Sequence, residues 1–241
     1  MRNILASQNR ILASIPAEYW PVIEPGLTLL DLGRGDTLDF FRSGLKAFFP
    51  ITAVISIVAR LPDGSSAQVA LNNHDTCIGV ARCFMPSGPT GLCTIFAPGV
   101  VASASQACLV SLKDAYPEFL MTIFGLSKGG EHIFAHQAVC AASHPVSRRI
   151  ASWLLYASAI CHRRELEVSQ QQLADYLAAR RETVGTTLVD LENKGIISRT
   201  RGTLVILSQA RLEAESCGCA PMLLEGHQLM RPPERSASTA A

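Results

Sequence analysis

Ser169-Gln-Gln-Gln-Leu-Ala-Asp-Tyr-Leu-Ala-Ala-Arg-Arg-Glu-Thr-Val-Gly-Thr-Thr-Leu-Val-Asp-Leu-Glu-Asn-Lys194 contains two short helical patterns with a tight break between them. Ser169 stands in N-cap position with Gln172 three residues on, the capping-box pairing that satisfies orphan amide donors. Leu173, Ala174 and Leu177 follow on one face at helical spacing. Ala178-Ala179-Arg180 leaves room only for a corner. The second helix turns Val184, Leu188 and Leu191 inward and leaves Arg181, Glu182, Gly185, Thr186 and Asn193 elsewhere. Two helices joined by so short a turn form a helix-turn-helix, whose second helix can enter a major groove.

The chemistry at the start of that second helix suits base reading. An arginine can fork onto guanine O6 and N7, and a carboxylate can accept from the cytosine amino group. Arg181 and Glu182 supply one of each. Gly195 then offers a left-handed C-cap. Ile196 to Arg199, Thr200-Arg201-Gly202 and Thr203 to Leu207 read as a β-hairpin. Arg199 and Arg201 sit at its tip, where they can meet phosphate as a wing does. The residues expected at the DNA are Ser169, Gln170, Arg180, Arg181, Glu182, Gly185, Thr186, Arg199 and Arg201. The expected partner is double-stranded DNA.

Gln172-Leu173-Ala174, Arg181-Glu182-Thr183-Val184-Gly185, Leu188, Leu191 and Gly195-Ile196-Ile197 together resemble the cyclic-AMP receptor/fumarate-nitrate regulator (Crp/Fnr) family of transcription factors. The resemblance implies that Arg181 and Glu182 read bases, that the protein is a homodimer, and that RNA polymerase is a further partner. Where that family often has a second arginine, this chain has Thr186, so the resemblance does not fix the target sequence.

Of the 241 residues, 48% are hydrophobic and 17% charged, the balance of a globular chain and not a disordered one. The net charge of +1 gives no global attraction to nucleic acid. Between Arg148 and Glu215 ten Lys/Arg face eight Asp/Glu, so placement decides and not excess. No apolar run approaches the ~20 residues needed to span a bilayer. The start of the chain does not read as a signal peptide. A cytoplasmic location is expected, where the eight cysteines stay reduced.

The first half reads as an antiparallel β-roll. Leu27 to Leu32, Ala53 to Leu61, Ala67 to Leu71, Thr90 to Phe96 and Gly99 to Ala102 are strand-like, and Asp63-Gly64 signals a hairpin. Asn9 to Ile23 offers a short N-terminal helix. Phe48-Phe49-Pro50, the Asp63-Gly64 hairpin and Asn73-His74-Asp75 before Ile78-Gly79 are similar to the family's sensor roll. In its cyclic-nucleotide-binding members a Gly-Glu pair holds the ribose and a downstream arginine holds the phosphate. Here Gly79 is followed by Val80-Ala81-Arg82, and Ser87-Gly88-Pro89-Thr90-Gly91 lacks the arginine. No cyclic-nucleotide site is therefore expected. An iron–sulfur cluster is not expected either, since the family's cluster cysteines lie near the N-terminus and this chain has none before Cys77. The His132/His136 pair reads as a solvated helix face, and Cys217-Gly218-Cys219 as part of a tail. No cofactor or metal is expected.

Pro117 to Ser143 reads as a long helix. Phe119, Ile123, Leu126, Gly130, Ile133, Gln137 and Cys140 recur at alternating steps of four and three, a coiled-coil spacing. The resemblance makes this the dimer interface. Gly125, Gly129 and Gly130 each cost ~1 kcal/mol against Ala in a helix, and permit a kink or a close approach. His144-Pro145 ends the helix at a hinge. Val146 to Ile160, with Ile150, Trp153, Leu154 and Ala157 inward, supports the helix-turn-helix, and Ser208 caps a short helix through Glu215.

The expected fold is α+β: an N-terminal antiparallel β-roll resembling a cyclic-nucleotide-binding domain (1–116), a long dimerisation helix with hinge (117–144), a winged helix-turn-helix (145–216) and a disordered tail (217–241). The function that follows is sequence-specific transcription regulation by a homodimer on an inverted repeat. Two rival classes stay open on sequence alone, a winged helix used for protein contacts and an enzyme with a winged-helix appendage. No nucleophile–base pair or phosphate loop supports the second, so an enzyme is not expected.

Overall fold

Short β-branched and aromatic runs in the first half pair into two three-stranded antiparallel sheets. In the computed structural model, which describes residues 6–40, 44–85 and 91–232, β1 (Leu27–Leu32), β6 (Gly99–Ser105) and β2 (Lys46–Pro50) form one sheet in the order β1-β6-β2. The other has the order β4-β3-β5, built from β3 (Val54–Arg60), β4 (Ser66–Asn72) and β5 (Leu92–Ala97). The two face each other across Phe48, Ile55, Ile95 and Val101. The expected hairpin through Asp63-Gly64 joins β3 to β4, with Gly64 at φ 87°. Most of β3 is buried because both of its faces are covered: Ile55 points into the roll, and Val54 meets the C-terminal half of the chain.

Around the roll lie short helices. The N-terminal segment is broken by its prolines into α1 (Arg10–Ala13) and α2 (Trp20–Ile23) instead of running on from Asn9 to Ile23. Asn9 caps α1 through its side-chain oxygen, and its amide nitrogen donates to Pro50 O and Thr76 O, fixing this start to the roll. Sequence reading missed α3 (Val80–Phe84) and α4 (Gln106–Ala115), both packed with the N-terminal helices in a second core. The phosphate-site reading at residues 87–90 lies outside the described residues, as do residues 233–241 of the expected tail.

The long helix α5 (Phe119–Ser143) ends at His144, and α6 (Val146–Cys161) begins after Pro145. The spacing-derived seam on α5, expected as the dimer surface, packs against the rest of the same chain. Phe119 is fully buried against α4 and the N-terminal helices, and Ile133 is 1% exposed. Ile123 and Leu126 pack on the same cores, while Gly130 and Gln137 are half-buried. Cys140 meets Cys217, 3.6 Å away between sulfurs. On the opposite side of the helix Met121 (69% exposed), Phe124 (63%) and Val139 (64%) face outward.

What fills the inward groove is a helix where a tail was expected. Residues Ala220–Leu229 form α10, which lies along α5 and buries Ala220, Leu223, Gly226 and His227. The crossing is close because two glycines face each other. A Cβ on Gly129 would lie 2.4 Å from Gly226 O, and one on Gly226 would lie 2.5 Å from Ile133 Cγ1. Gly129 thus serves a close approach, whereas a Cβ on Gly125 would meet nothing. Pro221 does not prevent this helix, because a helix tolerates proline in its first turn.

The C-terminal half adds β7 (Glu165–Glu167), α7 (Gln170–Tyr176), α8 (Arg181–Asn193), the hairpin β8 (Ile197–Thr200) and β9 (Thr203–Ile206), and α9 (Gln209–Glu215). Its core is continuous with the outer face of the β4-β3-β5 sheet through Trp153, Tyr156, Leu71 and Phe96. Among the described residues, no helix is long and apolar enough to cross a membrane.

Candidate nucleic-acid interface

The helix-turn-helix is built from local signals that all hold. Ser169 accepts from Gln172 N at 3.1 Å and Gln172 Oε1 accepts from Ser169 N at 3.1 Å, completing the capping box of α7. At the corner Ala178 takes a left-handed φ of 46°. Arg149 of α6 donates to Leu177 O at 2.6 Å, satisfying a carbonyl at the end of α7. Gln170 Nε2 donates to Arg181 O at 2.8 Å and so ties the start of α8 to α7. Val184, Leu188 and Leu191 are buried beneath α8. Gly195, at φ 64°, ends it as a left-handed cap, with Ile196 N donating to Leu191 O.

The expected DNA residues fall into two groups. Arg180, Arg181, Glu182 and Thr186 lie exposed at the start and along the outer side of α8, and Arg201 lies exposed at the β8–β9 turn. Together they form one surface, with α8 leading and the wing beside it. The others are engaged within the protein. Ser169 caps, and Gln170 is the α7–α8 strut. Gly185 faces that strut, since a Cβ there would lie 2.4 Å from Gln170 Nε2.

Arg199 belongs to the second group, away from the turn where it was expected. Its guanidinium donates to Glu192 Oε2 from Nε at 3.0 Å and from Nη2 at 2.5 Å, and its backbone N donates to Glu192 Oε1 at 3.2 Å. These hydrogen bonds hold the Glu192 carboxyl below its ordinary pKa range. Arg199 therefore fastens the wing to α8. Lys194 is likewise neutralised, by Asp190 at 2.8 Å and Glu215 at 2.9 Å. Among the described residues, the cationic character of this surface rests on the exposed Arg180, Arg181 and Arg201.

Contacts from the roll reach this unit. Arg34 donates to Gln172 Oε1 at 2.9 Å and lies 3.7 Å from Glu167. Trp153 Nε1 donates to Gln68 Oε1 at 2.7 Å, and Gln68 Nε2 donates to Ser56 Oγ at 2.8 Å. The roll and the helix-turn-helix therefore share hydrogen bonds as well as core. Within the roll, the Phe40 ring packs on Gly79, where a Cβ would lie 2.7 Å from Phe40 Cε1. The Arg82 guanidinium sits 4.8 Å from the centre of the same ring.

Comparison with known proteins agrees with this geometry. Residues 148–215 match the family model of the Crp-like helix-turn-helix domain. Among solved structures, FixK2 from Bradyrhizobium japonicum superposes with a TM-score of 0.63 at 16% identity, covering 79% of this chain and 98% of its own. The c-di-GMP responsive global regulator CLP of Xanthomonas campestris gives 0.65 at 19% identity, covering 80% and 100%. A CRP-family transcriptional regulator from Thermus thermophilus gives 0.56 at 19% identity, covering 78% and 96%. No curated protein sequence matches the chain.

Proposed function

We propose, from a chain whose residues 148–215 are a Crp-like helix-turn-helix domain and whose fold is that of Crp/Fnr transcription regulators, that this DNA-binding regulator acts as a homodimer on an inverted-repeat operator. The observation that carries the reading is the outward display of Arg180, Arg181 and Glu182 at the start of α8 with Arg201 on the adjoining wing. Two such helices, one per subunit, would enter successive major grooves about 34 Å apart. The dimer surface is the outward face of α5. Met121, Phe124, Ala135, Val139 and Ala142 share that side and are all exposed in the single chain. RNA polymerase is the further partner, and the cytoplasm is the location this role requires.

The roll works without a cyclic nucleotide. Phe40 occupies the space above Gly79 with the Arg82 guanidinium over its ring, and no carboxylate follows that glycine to hold a ribose. The test is selection of genomic fragments by purified protein, followed by sedimentation of the protein with and without the selected DNA. The expected result is an inverted repeat with half-sites one helical turn apart, bound by two chains, with affinity unmoved by cyclic AMP or cyclic GMP. Selection of no common sequence, or binding by one chain to a single half-site, would overturn the reading.

A further inference from the structure

At the hinge the end of α5 and the α9–α10 connection bring three thiols and an imidazole together. Cys140 and His144 are one helical turn apart on the last turn of α5 and its C-cap. Cys217 and Cys219 flank Gly218, whose φ of 75° turns the connection sharply between them. Cys140 Sγ lies 3.6 Å from Cys217 Sγ, and Cys219 Sγ lies 3.4 Å from His144 Nδ1. All four ligand atoms lie within 4.8 Å of one another. We propose that Cys140, His144, Cys217 and Cys219 are a tetrahedral zinc site that clasps the hinge between α5 and α6 to the start of α10.

The geometry favours one ion. Zinc holds sulfur at about 2.3 Å and imidazole nitrogen at about 2.0–2.1 Å, so tetrahedral ligands sit roughly 3.5–3.8 Å apart. The 3.6 Å sulfur–sulfur separation falls within that range, and the 3.4 Å sulfur–nitrogen separation lies just below it. Several irons with bridging sulfides would need their thiolates farther apart than a set gathered this closely. The donors are also the right kind, because thiolate and imidazole select zinc over the oxygen-seeking magnesium and calcium. Four protein ligands leave no open position, which makes the site structural and not catalytic.

The surroundings complete the site. Ser152 Oγ, on α6, lies 3.2 Å from Cys217 Sγ. In the thiolate form its hydroxyl donates to the sulfur, the outer hydrogen bond that orients a metal ligand. The four ligands are half-buried, so an ion can enter from solvent. The cysteines would ligate as thiolates and His144 through Nδ1, so binding would displace the Cys219 contact at that nitrogen and release thiol protons. The clasp would then fix the angle of the α5–α6 hinge and hold α10 in the groove of α5. This assignment stands on the four ligands alone and holds whether or not the helix-turn-helix binds DNA.

The experiment is metal analysis of full-length protein, prepared without a metal-affinity tag and kept reduced and anaerobic. One zinc ion per chain is expected. Cobalt reconstitution of the apoprotein should give a thiolate-to-cobalt charge-transfer band and intense tetrahedral ligand-field bands. Cys219→Ser should abolish that spectrum and Cys161→Ser should leave it intact. Ser152→Ala should weaken zinc roughly 10–100-fold. Chelation should speed amide exchange across residues 217–229 more than across the β-roll. Should Cys219→Ser not fold, the wild-type zinc content and cobalt spectrum decide alone. A reduced protein that takes up neither metal, or cobalt bound without a thiolate band, would overturn the site. So would a Cys140–Cys217 disulfide in the anaerobic protein.

Discussion

Arg181 and Arg201 are both exposed arginines on one surface, yet they should fail differently when removed. Arg181 stands at the leading end of α8, so Arg181→Ala should cost roughly 1–3 kcal/mol on the selected operator and much less on random DNA. Arg201 lies on the wing turn, so Arg201→Ala should weaken both DNAs about equally and make the salt slope shallower by about one unit. Binding titrations on both DNAs across a salt series check this. Relaxed base preference in Arg201→Ala, with a mere salt effect in Arg181→Ala, would show that α8 is not the reading helix. The corner supplies a stability probe on the same scale. Ala178 is a non-glycine residue at left-handed φ, so Ala178→Gly should raise stability by about 1 kcal/mol in denaturant unfolding. The capping box and the Gly195 cap were legible in the sequence because each is a local hydrogen-bonding pattern. The Arg199–Glu192 pair was not, because it exists only once the hairpin folds back onto α8.

Helix α5 shows how far periodicity reaches. Its length and its stop at His144-Pro145 were readable, since a continuous helix and a proline are local facts. The facing was not, because steps of three and four fit more than one stripe on a helix carrying apolar residues all round. The stripe through Phe119, Ile133 and Cys140 is covered by the chain's own α4, α10 and α9–α10 link, elements that the sequence reading lacked or took for a tail. Phe124→Asp and Ile133→Asp separate the two faces. Phe124→Asp places a charge on the outward face, so the chain should keep its thermal stability and sediment as a monomer with weakened operator binding. Ile133→Asp places an unpaired carboxylate in a closed core beside Gly226, so it should destabilise the fold itself by several kcal/mol. Unfolding curves and sedimentation on both variants check this. A folded Ile133→Asp monomer together with a dimeric Phe124→Asp would return the interface to the inward stripe.

The same α10 that fills the α5 groove makes the assembled molecule sensitive to acid. His227 on α10 is 3% exposed, and its Nε2 lies 2.8 Å from the hydroxyl of Tyr156 on α6, which in turn accepts from Leu71 N of the roll at 3.3 Å. One imidazole thus closes a chain of contacts joining α10, α6 and strand β4 of the roll. Burial lowers its pKa to about 4; the nearby Asp75 carboxylate opposes that shift and the Arg231 guanidinium adds to it. The unfolded chain protonates this group near its ordinary value of about 6.5. Between those values the unfolded state binds more protons, so stability rises with pH there. The contribution is fully present above about pH 6.5 and is lost progressively as pH falls from there through the folded value, the loss reaching about 2 kcal/mol by pH 5. Denaturant unfolding of wild type and His227→Gln at intervals from pH 7.5 to 4.5 should show the wild-type curve falling more steeply below pH 6.5, because glutamine does not titrate. Amide exchange should place the earliest acid-induced opening in α10, since a charged His227 is penalised by its burial until that helix lifts into solvent. Parallel stability profiles for the two proteins would mean that His227 is solvated on acidification without loosening α10, and that the last helix is held by its apolar face and the Gly129–Gly226 crossing alone.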